Sequence, residues 1–309
     1  MMARFRDSSA ASAQDFAQSI SAAEGPEQTT VVDRSIGDII AETRNLSADQ
    51  VEQILARQRE RGERFGEAAI QLGFASTDDV LFALAQQFHY PYAPEEQRRL
   101  SPELVALNQP FSVQAEAFRA IRSQVMMRVF NDPTGAHPAL AIVSPDSGDG
   151  KTFFAANLAV TLAQLGGRTL LIDADMRGPR QHEVFNLPNK SGLSGVLSGR
   201  AESQVVQQVP GVSSLFLLPV GITPPNPLEL VERPAFGLLI RELVSKFDHV
   251  VVDTPAAQYG SDSAVIAARC GAALVVARQG KSVVVSLQEL VANLAETPAK
   301  LAGVIVNEF

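Results

Sequence analysis

The carboxy-terminal two thirds of the chain sets short, unbroken apolar runs between longer amphipathic stretches. The runs are ALAIV (139–143), TLLID (169–173), LFLLP (215–219), HVVVD (249–253), AALVVA (272–277) and LAGVIVN (301–307). A strand with one wet face alternates apolar and polar residues. Runs that do not alternate carry apolar side chains on both faces, and the helix-length segments between them supply the cover. The pattern predicts a doubly wound α/β fold over residues 110–309, built on a mostly parallel sheet.

The amino-terminal part has a different rhythm. Residues 1–33 are rich in Ser, Ala and Gln and read as a disordered tail. Residues 34–95 read as a small helical domain made of one unit written twice. IGDIIAETRNLSADQVEQILARQ begins at Ile36 and FGEAAIQLGFASTDDVLFALAQQ at Phe65, an offset of 29 residues. Each copy predicts a short helix, a turn and a longer helix. Ser47 and Ser76 are placed as N-caps, because an acidic residue follows each within the first turn. Residues 96–109, in a proline-punctuated stretch, read as a linker.

Composition narrows the functions open to such a chain. The net charge of −8 argues against nucleic acid as a partner. The single cysteine, Cys270, sits in an apolar run and reads as a small buried hydrophobe. No apolar run approaches the roughly 18 residues that cross a bilayer, and the first 30 residues lack an apolar signal core. The expectation is a cytoplasmic chain that reaches a membrane only through a partner.

The chemistry is concentrated where strands end. The run 139–143 leads into SPDSGDGKTF (144–153), where Gly150, Lys151 and Thr152 match the end of a G-x-x-x-x-G-K-[ST] phosphate loop. The first glycine position holds Pro145, but Gly148 keeps a second flexible residue in the turn. Backbone N–H groups at such a strand-to-helix turn hold phosphate. Lys151 would reach the β- and γ-oxygens, and the Thr152 hydroxyl would ligate Mg²⁺. Two further runs end in carboxylates: Asp173, followed by Asp175 and Arg177, and Asp253, followed by Thr254. In a parallel sheet all of these lie at one edge. One or two of the carboxylates would hold Mg²⁺ through water, and Asp173 would accept a proton from an attacking hydroxyl.

SGDGKTFFAANLA, LLIDADMRGPRQHEVF, GLSGVLSG, LPVGITPPNPLEL and VVVDTPAA, in this order, resemble the bacterial tyrosine kinases of exopolysaccharide chain-length control. These are relatives of the MinD/ParA ATPases. The resemblance covers residues 110–309. Asp146 stands where partitioning ATPases carry a signature lysine, and Glu116, Arg119 and Arg122 match the kinases' E-x-x-R-x-x-R helix, which supports ring assembly. The resemblance implies ATP and Mg²⁺ as cofactors. It places ATP on Gly148, Asp149, Gly150, Lys151, Thr152 and Phe153, and the metal on Thr152, Asp175 and Asp253. Catalysis would fall to Lys151, Asp173 and Asp175. It also implies a homo-oligomer, with a transmembrane chain-length protein as partner at the cytoplasmic side of the inner membrane. The chain departs from the family in reading Ala256 within DTPA and in lacking a tyrosine cluster at its end. Its tyrosines are Tyr90, Tyr92 and Tyr259. The alternative is a MinD/ParA-like nucleotide switch with no phosphoprotein product. The amino-terminal repeat resembles the N-terminal domain of type II secretion ATPases, some of which bind cyclic di-GMP. Arg64, Gly66, Gly73 and Gln87 match that motif, whereas the first copy, from Ser35 to Gln58, lacks its arginine and second glycine.

Overall fold

A computed structural model describes residues 35–87, 100–131, 137–200 and 205–308. The chain divides into two units, one holding the helical residues 35–87 and the other the residues from Leu100 onward.

The helical unit contains α1 (Ile36–Thr43), α2 (Ala48–Arg61), α3 (Phe65–Gln71) and α4 (Thr77–Gln87). Capping starts both long helices. The Ser47 hydroxyl accepts from the Gln50 amide, and Gln50 Oε1 accepts from the Ser47 amide at 2.8 Å. Ser76 and Asp79 make the same reciprocal pair. The two copies pack crosswise. Ile39 and Ile40 of the first copy bury against Ala83 of the second, while Ala68 and Ala69 of the second bury against Ile54 of the first. At each of these two contacts the first copy supplies isoleucine and the second supplies alanine, so large side chains meet small ones.

Gly66 and Gly73, matched above to a cyclic di-GMP motif, both have structural uses. A Cβ on Gly66 would sit 2.8 Å from Val80 Cγ1 on α4, and Gly73 turns the chain at φ +73°. Arg64 precedes α3 as its N-cap residue, and Gln87 ends α4. Gly66→Ala is expected to destabilise the helical unit by about 1–3 kcal/mol through overpacking. That outweighs the roughly 0.5–1 kcal/mol gained in helix propensity. Faster amide hydrogen exchange in α3 and α4 of the variant would show it, and unchanged exchange would refute it.

The second unit is a seven-stranded sheet in the order β3-β4-β2-β5-β1-β6-β7. The strands are β1 (Ala139–Val143), β2 (Thr169–Asp173), β3 (Gln207–Gln208), β4 (Leu215–Leu218), β5 (His249–Asp253), β6 (Gly271–Arg278) and β7 (Lys300–Asn307). All neighbours run parallel except the short antiparallel β3–β4 pair. Successive residues point to opposite faces. Leu140, Ile142, Leu171 and Val251 pack on one side with Phe154, Leu158 and Leu162. Ala141, Val143, Leu170 and Val250 pack on the other with Phe236, Ile240 and Leu243. Both faces are thus covered, as the unbroken apolar runs require.

The linker expected at 96–109 ends earlier than its prolines suggested. α5 (Val105–Asn108) and the preceding Leu104 are buried in the sheet's core. The Asn157 side chain fastens this segment, accepting from the Ala106 amide and donating to the Glu103 carbonyl. α6 (Val113–Val125) then runs into a π-helical turn, Met126–Phe130. Glu116 and Arg119 pair on its exposed side, whereas Arg122 donates to the Thr161 carbonyl at 2.9 Å within the same chain. Among the described residues no helix is long and apolar enough to cross a membrane.

Candidate nucleotide site

The sheet order brings the strand ends together. β5 lies between β1 and β2, so Asp253 pairs in register with Ile142 on one side and Asp173 on the other. The turn after β1 opens into α7 (Lys151–Ala163). Phosphate loop and carboxylates thus share the carboxyl edge of three adjacent, fully buried strands, where open α/β sheets bind ligands.

Two glycines let the loop take its shape. Gly148 and Gly150 have φ of +82° and +93°, a region other residues seldom enter. A Cβ on Gly148 would lie 2.6 Å from Lys281 Nζ, and one on Gly150 would collide with the Asn307 amide. Polar contacts brace the loop from below. Asn307 Nδ2 donates to the Asp149 carbonyl at 3.1 Å, and Ser282 Oγ donates to Asp149 Oδ1 at 2.9 Å. Asp149 Oδ2 accepts from the Asp146 amide. The Asp149 carboxylate is fully buried and so serves as a brace, its charge taken up by N–H and O–H donors. The Phe153 ring lies edge-on to Phe118, with centroids 5.8 Å apart, which assigns that side chain to packing.

Lys151 is nearly buried, and its ammonium donates to Ser144 Oγ at 3.0 Å. Asp173 is fully buried. Its Oδ1 accepts from the Asp175 amide and its Oδ2 from the amides of Arg180 and Gln181. It thereby brackets the loop 174–180 against α8 (Gln181–Val184). Burial, and then the neighbouring Asp253, raise its pKa well above the carboxylate range. Asp173, expected from the motif to accept a proton, has no exposed surface, and both its oxygens accept backbone amides. Asp175 is partly exposed, and its Oδ1 caps the Arg177 and Gly178 amides. Arg177 forks onto the buried Asp262 through Nε and a terminal nitrogen, at 3.2 and 3.0 Å.

Asp253 is buried, and burial pushes its pKa up to about 6 against the opposing pull of Lys151. Gln181 Nε2 donates to Asp253 Oδ2 at 2.9 Å and to the Thr152 carbonyl at 3.1 Å. Asp253 Oδ1 and Gln181 Oε1 are buried oxygens without a hydrogen-bond partner among the described residues. Two such orphans beside a hydroxyl suit a hydrated hard cation, which supplies the missing donors from its own waters. The described residues form no ready-made cage of three or more His, Cys, Asp or Glu. Mg²⁺ needs none, since it takes one or two carboxylates and completes its shell with water and substrate phosphates. The residues therefore fit the ion.

Ser144, Gln181, Ser282 and Asn307 are the parts of this site that sequence motifs did not single out. Cys270, by contrast, is where its apolar run placed it, buried and with its thiol pKa pushed up.

A family model for the CobQ/CobB/MinD/ParA nucleotide-binding domain matches residues 140–309. The chain belongs to this family. Within it, CapB of Staphylococcus aureus, provisionally named a tyrosine-protein kinase, is 36% identical over 213 residues, which cover 68% of this chain and 90% of that protein. Tyrosine-protein kinase wzc of Salmonella typhi is 32% identical over 210 residues, but the match spans only 28% of that longer protein. Among solved structures, the kinase domain of Escherichia coli tyrosine kinase ETK superposes with a TM-score of 0.62 at 30% identity, covering 68% of this chain and 83% of that one. These similarities place the chain in the family's bacterial tyrosine-kinase branch.

Proposed function

We propose that the chain is an ATP- and Mg²⁺-dependent protein tyrosine kinase acting in exopolysaccharide chain-length control or export. The observation that carries this reading is the meeting of a phosphate loop with Asp253 and Asp175 at one sheet edge, in a chain that matches 90% of CapB's length.

The loop amides and Lys151 hold the β- and γ-phosphates. Positioning and charge stabilisation are most of what phosphoryl transfer asks of a protein. Thr152, Asp175 and Asp253 hold Mg²⁺, which neutralises phosphate charge when bound. Asp173 keeps Asp175 and Gln181 in place, and Gln181 fixes Asp253 against the Thr152 backbone. A transmembrane chain-length protein is the expected partner, with the Glu116–Arg119 face of α6 available to a neighbouring copy in a ring.

Incubation with γ-labelled ATP tests the reading directly. Label on tyrosine, in this chain or in its membrane partner, is the expected result. Release of free phosphate with no labelled protein would instead favour a MinD-like switch.

A further inference from the structure

The loop after β5 brings a tyrosine to the phosphate loop. The Thr254 hydroxyl donates to the Ile142 carbonyl at 2.7 Å, tying β5 to β1 at their ends. The Ala257 amide then donates to the Ser144 carbonyl at 2.9 Å, and the Gln258 amide to the Pro145 carbonyl at 3.0 Å. These bonds lay the short 3₁₀ turn Ala257–Tyr259 along the first residues of the phosphate loop. The Tyr259 hydroxyl hydrogen-bonds the Ser147 side chain, within electrostatic reach of Lys151 and Asp175. The ring is 50% exposed, so core packing does not account for its presence. Its hydroxyl ionises more readily than a free phenol, chiefly through the Ser147 hydrogen bond. Tyr90 and Tyr92 lie outside the described residues, which leaves Tyr259 as the one tyrosine among those described.

We propose that Tyr259 is a phosphoryl acceptor of the site against which it lies. The inference rests on the kinase reading above. The phenolic oxygen bonds to the γ-phosphorus as the bond from that phosphorus to the bridging oxygen of ADP breaks. ADP leaves with the electron pair, and the phenolic proton passes to the water that bathes the exposed side of the ring. A phosphate on Tyr259 brings about −1.5 to −2 charges to the rim of the cradle. It faces Asp175 there and competes with the γ-phosphate for Lys151. Modification therefore weakens the binding of the next ATP, and the site limits its own turnover.

The test is peptide mapping by mass spectrometry after incubating the full chain with Mg-ATP. Phosphotyrosine is expected at Tyr259. It should disappear in Tyr259→Phe and in Lys151→Met, and persist when Tyr90 and Tyr92 are both replaced by phenylalanine. Phosphorylated chain should also bind a fluorescent ATP analogue more weakly than chain treated with phosphatase. Phosphotyrosine confined to Tyr90, Tyr92 or another protein overturns this proposal and leaves the kinase reading standing. Absence of phosphotyrosine from every protein in the mixture overturns both.

Discussion

Lys151→Met is expected to lower phosphoryl transfer by about 10²–10³-fold, the usual loss when one charge-stabilising donor is removed from a water-poor site. Two effects combine. The ammonium that would meet the phosphate oxygens is gone. In addition, Lys151 is the main influence holding down the pKa of Asp253, so its loss leaves that carboxyl more often protonated and a poorer partner for Mg²⁺. The fold should survive. The side chain is nearly buried and its ammonium bonds Ser144, while methionine has similar length and no charge to bury. Thermal unfolding of the nucleotide-free variant should therefore match or exceed that of the parent. Transfer within about tenfold of the parent, at equal stability, would remove Lys151 from the mechanism.

Much of this arrangement could be read before any coordinates. β1, β2 and β5 occupy the residues of their apolar runs, and β6 and β7 extend theirs by a residue or two. Strands buried on both faces leave no polar alternation to blur their limits. β3 is not legible in the sequence, for the opposite reason. It is two glutamines, carrying neither apolar nor β-branched character, and it exists because the chain must run back beside β4 between the buried Val206 and Val209. The helix at 105–108 hid among prolines, and its burial depends on an asparagine some fifty residues later. In the site, Lys151, Thr152, Asp175 and Asp253 carry motif spacing and a place at a strand end. Gln181 has neither. Its task appears only once β5 lies beside β2, an adjacency that strand order along the chain does not reveal. Asp173 shows the converse. Its motif position announces chemistry, and the structure adds a task the motif does not announce, the bracket made by the three amides it holds.

Asp253→Asn should separate stability from function. The carboxyl titrates near 3.8 when free and near 6 in the folded chain. Between those values the folded state keeps a proton that the unfolded state has released. The group's favourable contribution is therefore complete below about pH 4 and is lost as pH rises through 6. At pH 8 the buried carboxylate costs the nucleotide-free protein about 3 kcal/mol, from a shift of roughly two pH units. Asparagine removes that charge, keeps an oxygen for Gln181 Nε2, and brings an amide toward the unpartnered Gln181 Oε1. Thermal unfolding without nucleotide should rise at pH 8, rise about half as much at pH 5, barely change below about pH 4, and lose much of its pH dependence across that range. The parent should gain stability when Mg-ATP is added, and more at pH 8 than at pH 5, because the metal needs the ionised carboxylate. The variant should gain little at either pH. If it proved less stable than the parent at pH 8, or gained as much from Mg-ATP, Asp253 would be an ordinary structural carboxylate. The predicted opposition has a physical root. A carboxylate held dry beside Thr152 and Lys151 is a burden while the site is empty, and that unmet charge is what makes the site bind a hydrated cation with its triphosphate.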